Sequence, residues 1–162
     1  MEVAVVYYSL QGNAALAAKA LAEKLGARLL ELKETAPRSL GPGGFMKAGF
    51  QAMLGLKSKL HGQPWQDVAG CSELYLLSPV WASKAAPAMN RFLANCDFAG
   101  KAVSIYTVQA DPVTDYVKAR QAMASQVQRK GGTVKASHGL VGAGPGKGVK
   151  DALAREVCEL IS

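Results

Sequence analysis

The chain has 162 residues, 49% of them apolar, and 19 Lys and Arg against 12 Asp and Glu give it a formal charge of +7. This length is enough for one domain, residues 1–162, around a sizeable core, and no uncharged apolar run is long enough to span a bilayer. The start, MEVAVVYYS, has no basic n-region and predicts no signal peptide, and Cys71, Cys96 and Cys158 are too far apart for a C-x-x-C motif or a paired metal site, which points to buried thiols in a reducing cytoplasm.

Residues 3–8 are a continuous run of strand formers, as expected of a central strand buried on both faces of a parallel sheet. The loop Ser9-Leu10-Gln11-Gly12-Asn13-Ala14 follows, small and uncharged, with glycine where the backbone must turn. Ala17, Ala18, Leu21 and Leu25 then recur at helical spacing over residues 14–25, and Gly26 ends that helix. Residues 27–32 read as a second strand, 73–78 as a third, 101–107 as a fourth, and 133–138, which is more polar, as a fifth at a sheet edge.

Between the second and third strands lies an insert, residues 36–63. It opens on the turn-rich PRSLGPGG and continues with Phe45, Gly49, Ala52, Met53, Leu56 and Leu60 at the spacing of a crossover helix. Residues 35–66 hold Arg38, Lys47, Lys57 and Lys59 and no acid. Such a charge suits an acidic partner, a membrane surface or nucleic acid, and equally a plain solvated surface. Trp65 is expected to pack the insert onto the body. Met89, Phe92, Leu93 and Cys96 mark the next helix. Val113, Tyr116, Val117, Met123 and Val127 mark another, started by Asp111-Pro112, and Val149, Leu153, Val157, Leu160 and Ile161 mark the last. Strands alternating with helices imply βαβ crossovers and a three-layer α/β/α sandwich.

Ligands of such sheets bind beyond the carboxyl ends of the strands. Three loops leave those ends: residues 9–14, where a helix N-terminus favours an anion; Ser78-Pro79-Val80-Trp81-Ala82-Ser83-Lys84, whose Trp suits a flat ring; and Thr107-Val108-Gln109-Ala110-Asp111. VGAGPGKGVK, residues 141–150, fails as a P-loop, because only three residues separate Gly142 from Gly146-Lys147 and Gly148 stands where Ser or Thr is needed; it reads as a flexible loop. His61 and His138 have no acid or thiol neighbours in sequence and read as surface or loop residues. No nucleic-acid motif is present, so that class rests on charge alone.

Taken together, the three loops resemble those of the flavodoxin family. Ser9, Gly12 and Asn13 match its phosphate loop, the stretch from Pro79 to Thr107 is similar to the segment under its flavin ring, and KAGFQAMLGLKSKL is similar to an insert of small bacterial flavodoxin-like proteins. The resemblance implies a five-stranded parallel sheet of order 2-1-3-4-5. It also implies an FMN cofactor with its phosphate at Ser9, Leu10, Gln11, Gly12, Asn13 and Ala14, and its ring at Ser78, Pro79, Val80, Trp81, Ala82 and Gln109. Gln11 and Ala14 replace threonines of the family pattern, and TVQAD lacks the glycines of its third loop. The implied role is an electron carrier or small flavin reductase, a monomer or weak homodimer exchanging electrons with redox proteins, acidic ones given the positive charge. The rival expectation is a binding or regulatory module that kept the fold and lost the flavin.

Overall fold

A computed structural model describes residues 2–161. Its strands are β1 (Val3–Tyr7), β2 (Arg28–Glu31), β3 (Glu73–Trp81), β4 (Lys84–Ala85), β5 (Ala102–Gln109) and β6 (Thr133–Val141). Its helices are α1 (Asn13–Leu25), α2 (Pro42–Met53), α3 (Pro64–Asp67), α4 (Pro87–Asn95), α5 (Val117–Arg129) and α6 (Leu153–Glu159). Five strands run parallel in the order β2-β1-β3-β5-β6, which is the expected 2-1-3-4-5 order, and β4 pairs antiparallel with β3 as a sixth.

The central strands are apolar on both faces because both faces are covered. Val5, Tyr7, Leu77, Tyr106 and Val108 pack under α1 and α6, together with Ala14, Leu21, Leu153 and Val157. The alternate residues Ala4, Val6, Leu76, Val103 and Ile105 pack with Met89, Phe92 and Leu93 of α4 and Met123 and Val127 of α5. Trp65 is half-buried against this second layer, as expected of a residue fastening the insert. Cys71 and Cys96 are buried free thiols, and Cys158 is half-buried with its Sγ donating to Ala20 O (3.6 Å). His61 is exposed; His138 sits on edge strand β6, half-buried, with its ring 5.5 Å from that of Tyr106.

Several boundaries differ from expectation. The helix after β5 starts at Val117, not at Asp111-Pro112, because the Asp111 carboxylate is taken up in a turn, accepting from Val113 N (2.8 Å) and Thr114 Oγ1 (2.5 Å). Val113 is consequently in solvent and off any apolar face. The last helix starts at Leu153 and leaves Val149 outside it. Leu56 and Leu60 are not on the insert helix, which stops at Met53; Leu60 instead bridges Glu34.

The third strand runs past Ser78 to Trp81, so Trp81 lies on a strand and not in a loop. Pro79 is tolerated there because β1 pairs only as far as Leu77, so no ladder bond from that side is lost. Ala82 (φ 48°) and Ser83 (φ 64°) form the two-residue turn into β4, both in the left-handed region. Hairpins favour this turn shape because it matches strand twist, but it is normally made with Gly or Asn. Ser83→Gly should therefore stabilise the fold by about 0.5–1 kcal/mol, the relief of left-handed strain exceeding the added freedom of the unfolded chain. A thermal melt should show this as a rise of roughly 2–3 °C; an unchanged or lower midpoint would mean the turn is not strained.

Candidate functional site

At the carboxyl end of the sheet the loop after β1 and the last residues of β3 and β5 meet in one cleft. It is lined by Ser9, Leu10, Gln11, Asn13 and Ala14, by Pro79, Val80 and Trp81, and by Val108, Gln109 and Ala110; Phe45 of α2 and Ala143 and Pro145 of the loop after β6 complete the wall. Three expected site residues stand behind this lining. Gly12 is the turn itself. Ser78 is fully buried, its hydroxyl accepting from Ala86 N (3.1 Å) at the start of α4 and donating to Pro79 O (3.0 Å). Ala82 is in the β3–β4 turn.

One end of the cleft is the start of α1. Gly12 has φ 115°, and a Cβ there would meet Val149 Cγ2 at 2.9 Å, so glycine is required both by conformation and by close approach. The first-turn amides of Asn13, Ala14 and Ala15 have no partner among the described residues, and the helix dipole adds a partial positive charge there. Gly12 N donates to Ser9 Oγ (3.1 Å). The side chains of Gln11 and Asn13 turn away, toward residues 143–150. Asn13 Oδ1 accepts from Ala143 N (3.1 Å) and Lys150 N (2.9 Å), and its Nδ2 donates to Gly148 O (3.1 Å). Gln11 Nε2 reaches the carbonyls of Ala143, Gly144 and Gly148, while Gly146 N donates to Gln11 Oε1. Gly142 N donates to Gln109 O (2.8 Å), joining the same segment to the third loop. Residues 141–150, read from sequence as a free loop, are thus a strap tied to both neighbouring loops.

The other end is aromatic. Trp81 meets Tyr8 edge-on at 5.6 Å, and the Arg38 guanidinium carbon lies 5.2 Å from its ring centre, within cation–π range. Arg38 is itself held by Glu34 through two bonds (Nε 2.7 Å, Nη2 2.8 Å) and donates to Gln51 Oε1 of α2 (2.7 Å). The Arg38 and Glu34 side chains are only 9% and 8% exposed, and Tyr8 and Ser58 hydroxyls also donate to Glu34. Burial alone would push the Glu34 carboxyl up, but the bonds from Arg38, Ser58 and Tyr8 and the Arg38 charge outweigh it and hold it below the ordinary range. Tyr8 is pushed up, by burial first and by Glu34 second. At the third loop Gln109 is 6% exposed; its Nε2 donates to Thr114 O, and its Oε1 has no partner among the described residues.

No protein-family model and no curated protein matches the sequence. Solved structures do match it along most of its length. A candidate flavoprotein from Bacteroides uniformis superposes with a TM-score of 0.74 at 20% identity, over 99% of this chain and 97% of its own. A flavoprotein from Lactobacillus acidophilus, solved in complex with FMN, gives 0.66 at 15% identity over 85% and 92%, and flavodoxin 2 from Bacillus cereus gives 0.64 at 13% over 99% and 94%. The chain has the flavodoxin fold. Within this flavodoxin-fold frame the cleft lies where strand order reverses, between β1 and β3.

Phe45, Ala143 and Pro145 were not singled out from the sequence as cleft residues, and Val108 and Ala110 were placed in the third candidate loop without a contact assigned to them. Phe45 had a signal, since it shares the buried stripe of Ala48 and Ala52; the strap's only signal was its glycine density.

Two outcomes follow from this flavodoxin-fold site. Asn13→Ala strands two strap amides and a carbonyl and should cost about 2–3 kcal/mol. Limited proteolysis should then cut within residues 143–149 well before the rest of the chain. Because the Glu34 pKa is lowered on folding, its contribution is fully present above the ordinary carboxylate pKa and is lost as pH falls through the lowered value. Urea midpoints at pH 7 and pH 3 should accordingly drop more in wild type than in Glu34→Gln; equal drops would mean Glu34 carries none of the acid sensitivity.

Proposed function

We propose that this protein binds FMN in the cleft and acts as an electron carrier or small flavin reductase, working in the cytoplasm. One observation carries the reading: unpartnered helix-start amides and an apolar aromatic wall share a single cleft of a flavodoxin fold. The Asn13 and Ala14 amides, with the Ser9 hydroxyl, suit a phosphate. Pro79, Val80 and Trp81 suit one face of a flat ring, and the orphaned Gln109 Oε1 suits a donor on its polar edge. Bound FMN would supply one- and two-electron transfer. The chain's own part is to bind, to orient the ring and to keep water from it. Tyr8, which meets the Trp81 ring, and Glu34 are locked to each other and to Arg38, which suits holding the wall in place over exchanging protons.

The second reading is a fold-retaining module without flavin. It is favoured by Gln11 and Asn13 spending their side chains on the strap, which leaves a phosphate only backbone amides and Ser9.

FMN titration into the protein freed of any ligand should quench flavin fluorescence and raise the melting temperature, since a ligand of the native state stabilises it. Trp81→Ala should weaken binding by about 1 kcal/mol or more through lost stacking and burial and should alter the bound flavin's visible spectrum. Absence of both quenching and thermal shift in wild type would establish the second reading instead.

A further inference from the structure

The insert presents one face that nothing in the fold covers. Ala48 and Ala52 of α2 are buried and Phe45 lines the cleft, but Met46 is 76% exposed, Phe50 57% and Met53 50%. These three fall at i, i+4 and i+7, one stripe along the helix. Leu40 before the helix and Leu54 and Leu56 after it are 56%, 54% and 45% exposed. Six large apolar side chains in seventeen residues is more than scattered surface hydrophobicity explains. The exposed cations Lys47, Lys57 and Lys59 accompany them, with no acid from residue 35 to residue 66.

We infer that this face docks on the surface of an anionic phospholipid bilayer. The composition selects this occupant. Protein–protein interfaces are depleted in Lys, whereas this face carries Lys47, Lys57 and Lys59 beside its apolar stripe with no acid to offset them, and its single arginine is consumed by Glu34 and Trp81. A second copy of the chain would bring three lysines against the same three. A helix with an apolar face and flanking lysines matches the headgroup–acyl boundary, where the side chains of Lys lay their stems on the apolar zone and keep their charge among phosphates. Among the described residues no helix is long and apolar enough to cross a membrane, so the contact is peripheral. Because Phe45 is on the same helix, docking would set the cleft wall close to the bilayer.

The test is flotation of the purified protein, without flavin, with vesicles of phosphatidylcholine alone and of phosphatidylcholine and phosphatidylglycerol at 3:1. Binding to the anionic vesicles should exceed binding to neutral ones at least tenfold. It should be lost in Met46→Ser/Phe50→Ser and in Lys47→Glu/Lys57→Glu/Lys59→Glu, all exposed positions whose variants should keep the wild-type melting temperature. Retention by the serine variant would reduce the effect to charge alone and overturn the inference. So would an absence of vesicle binding, whether accompanied by salt-sensitive binding to polyglutamate, which assigns the face to an acidic protein, or by self-association that Phe50→Ser abolishes, which assigns it to a second copy. The outcome is independent of FMN binding, because no flavin is present.

Discussion

The carboxamide of Asn13 is the interaction on which the cleft depends. It sits in the first turn of α1, buried, and takes two amides and one carbonyl from residues 143–150. A side chain that can both donate and accept is needed there, and the amide does so without charge from two separate atoms, its oxygen taking both N–H groups and its nitrogen giving to the carbonyl. Its bonds decide what the neighbouring residues are free to do. Gly12 must be glycine because its φ is 115°, and Val149 lies against it besides; a Cβ on Gly142 would meet Asn13 Cγ at 2.9 Å. With the strap in place, the helix-start amides remain the unsatisfied donors facing the cleft, and the anion site is made of backbone more than of side chains.

The aromatic end obeys a comparable constraint with charge in it. A buried carboxylate and guanidinium are costly to desolvate, and they persist when every donor and acceptor is matched. Glu34 takes bonds from Arg38, Tyr8 and Ser58, and Arg38 adds Gln51 and the Trp81 face. The participants come from the end of β1, the segment after β2, α2 and the stretch beyond it. One cluster therefore fixes both the position of the insert and the back of the Trp81 ring, so the wall of the cleft and the location of the exposed stripe on α2 are set together.

Much of this was legible in the chain. Apolar runs such as Val3–Tyr7 and their alternation with helical stripes lead to the parallel sheet, because burial on both faces leaves a composition that few other arrangements share. The three loops were legible because they follow strand ends. The failures were at places where a polar side chain acts locally or across the fold. Asp111 looks like a helix cap until its carboxylate is seen closing its own turn. Trp81 looks like a loop residue because its strand is extended by a partner, Lys84–Ala85, too short to leave a pattern. Residues 141–150 look free because their partners, Gln11 and Asn13, are some 130 positions away, and no periodicity reports a contact of that range. Arg38, four residues after Glu34, was visible as a charge, but nothing in the spacing shows that the pair is buried.

The strap has a consequence for the order in which the protein becomes competent. Lys150 N is 137 positions from the Asn13 carboxamide it bonds. A chain is synthesised from its amino end, so β1 and α1 are made well before the strap, with their turn at Gly12 unguarded. Any anion held in that interval rests on an open loop, and the cleft closes only once residues 143–150 have been made. Ligand capture in this way waits on the strap: a product cut short before residue 143 would have the sheet's central strands and the helix-start amides yet lack the segment that makes them a site.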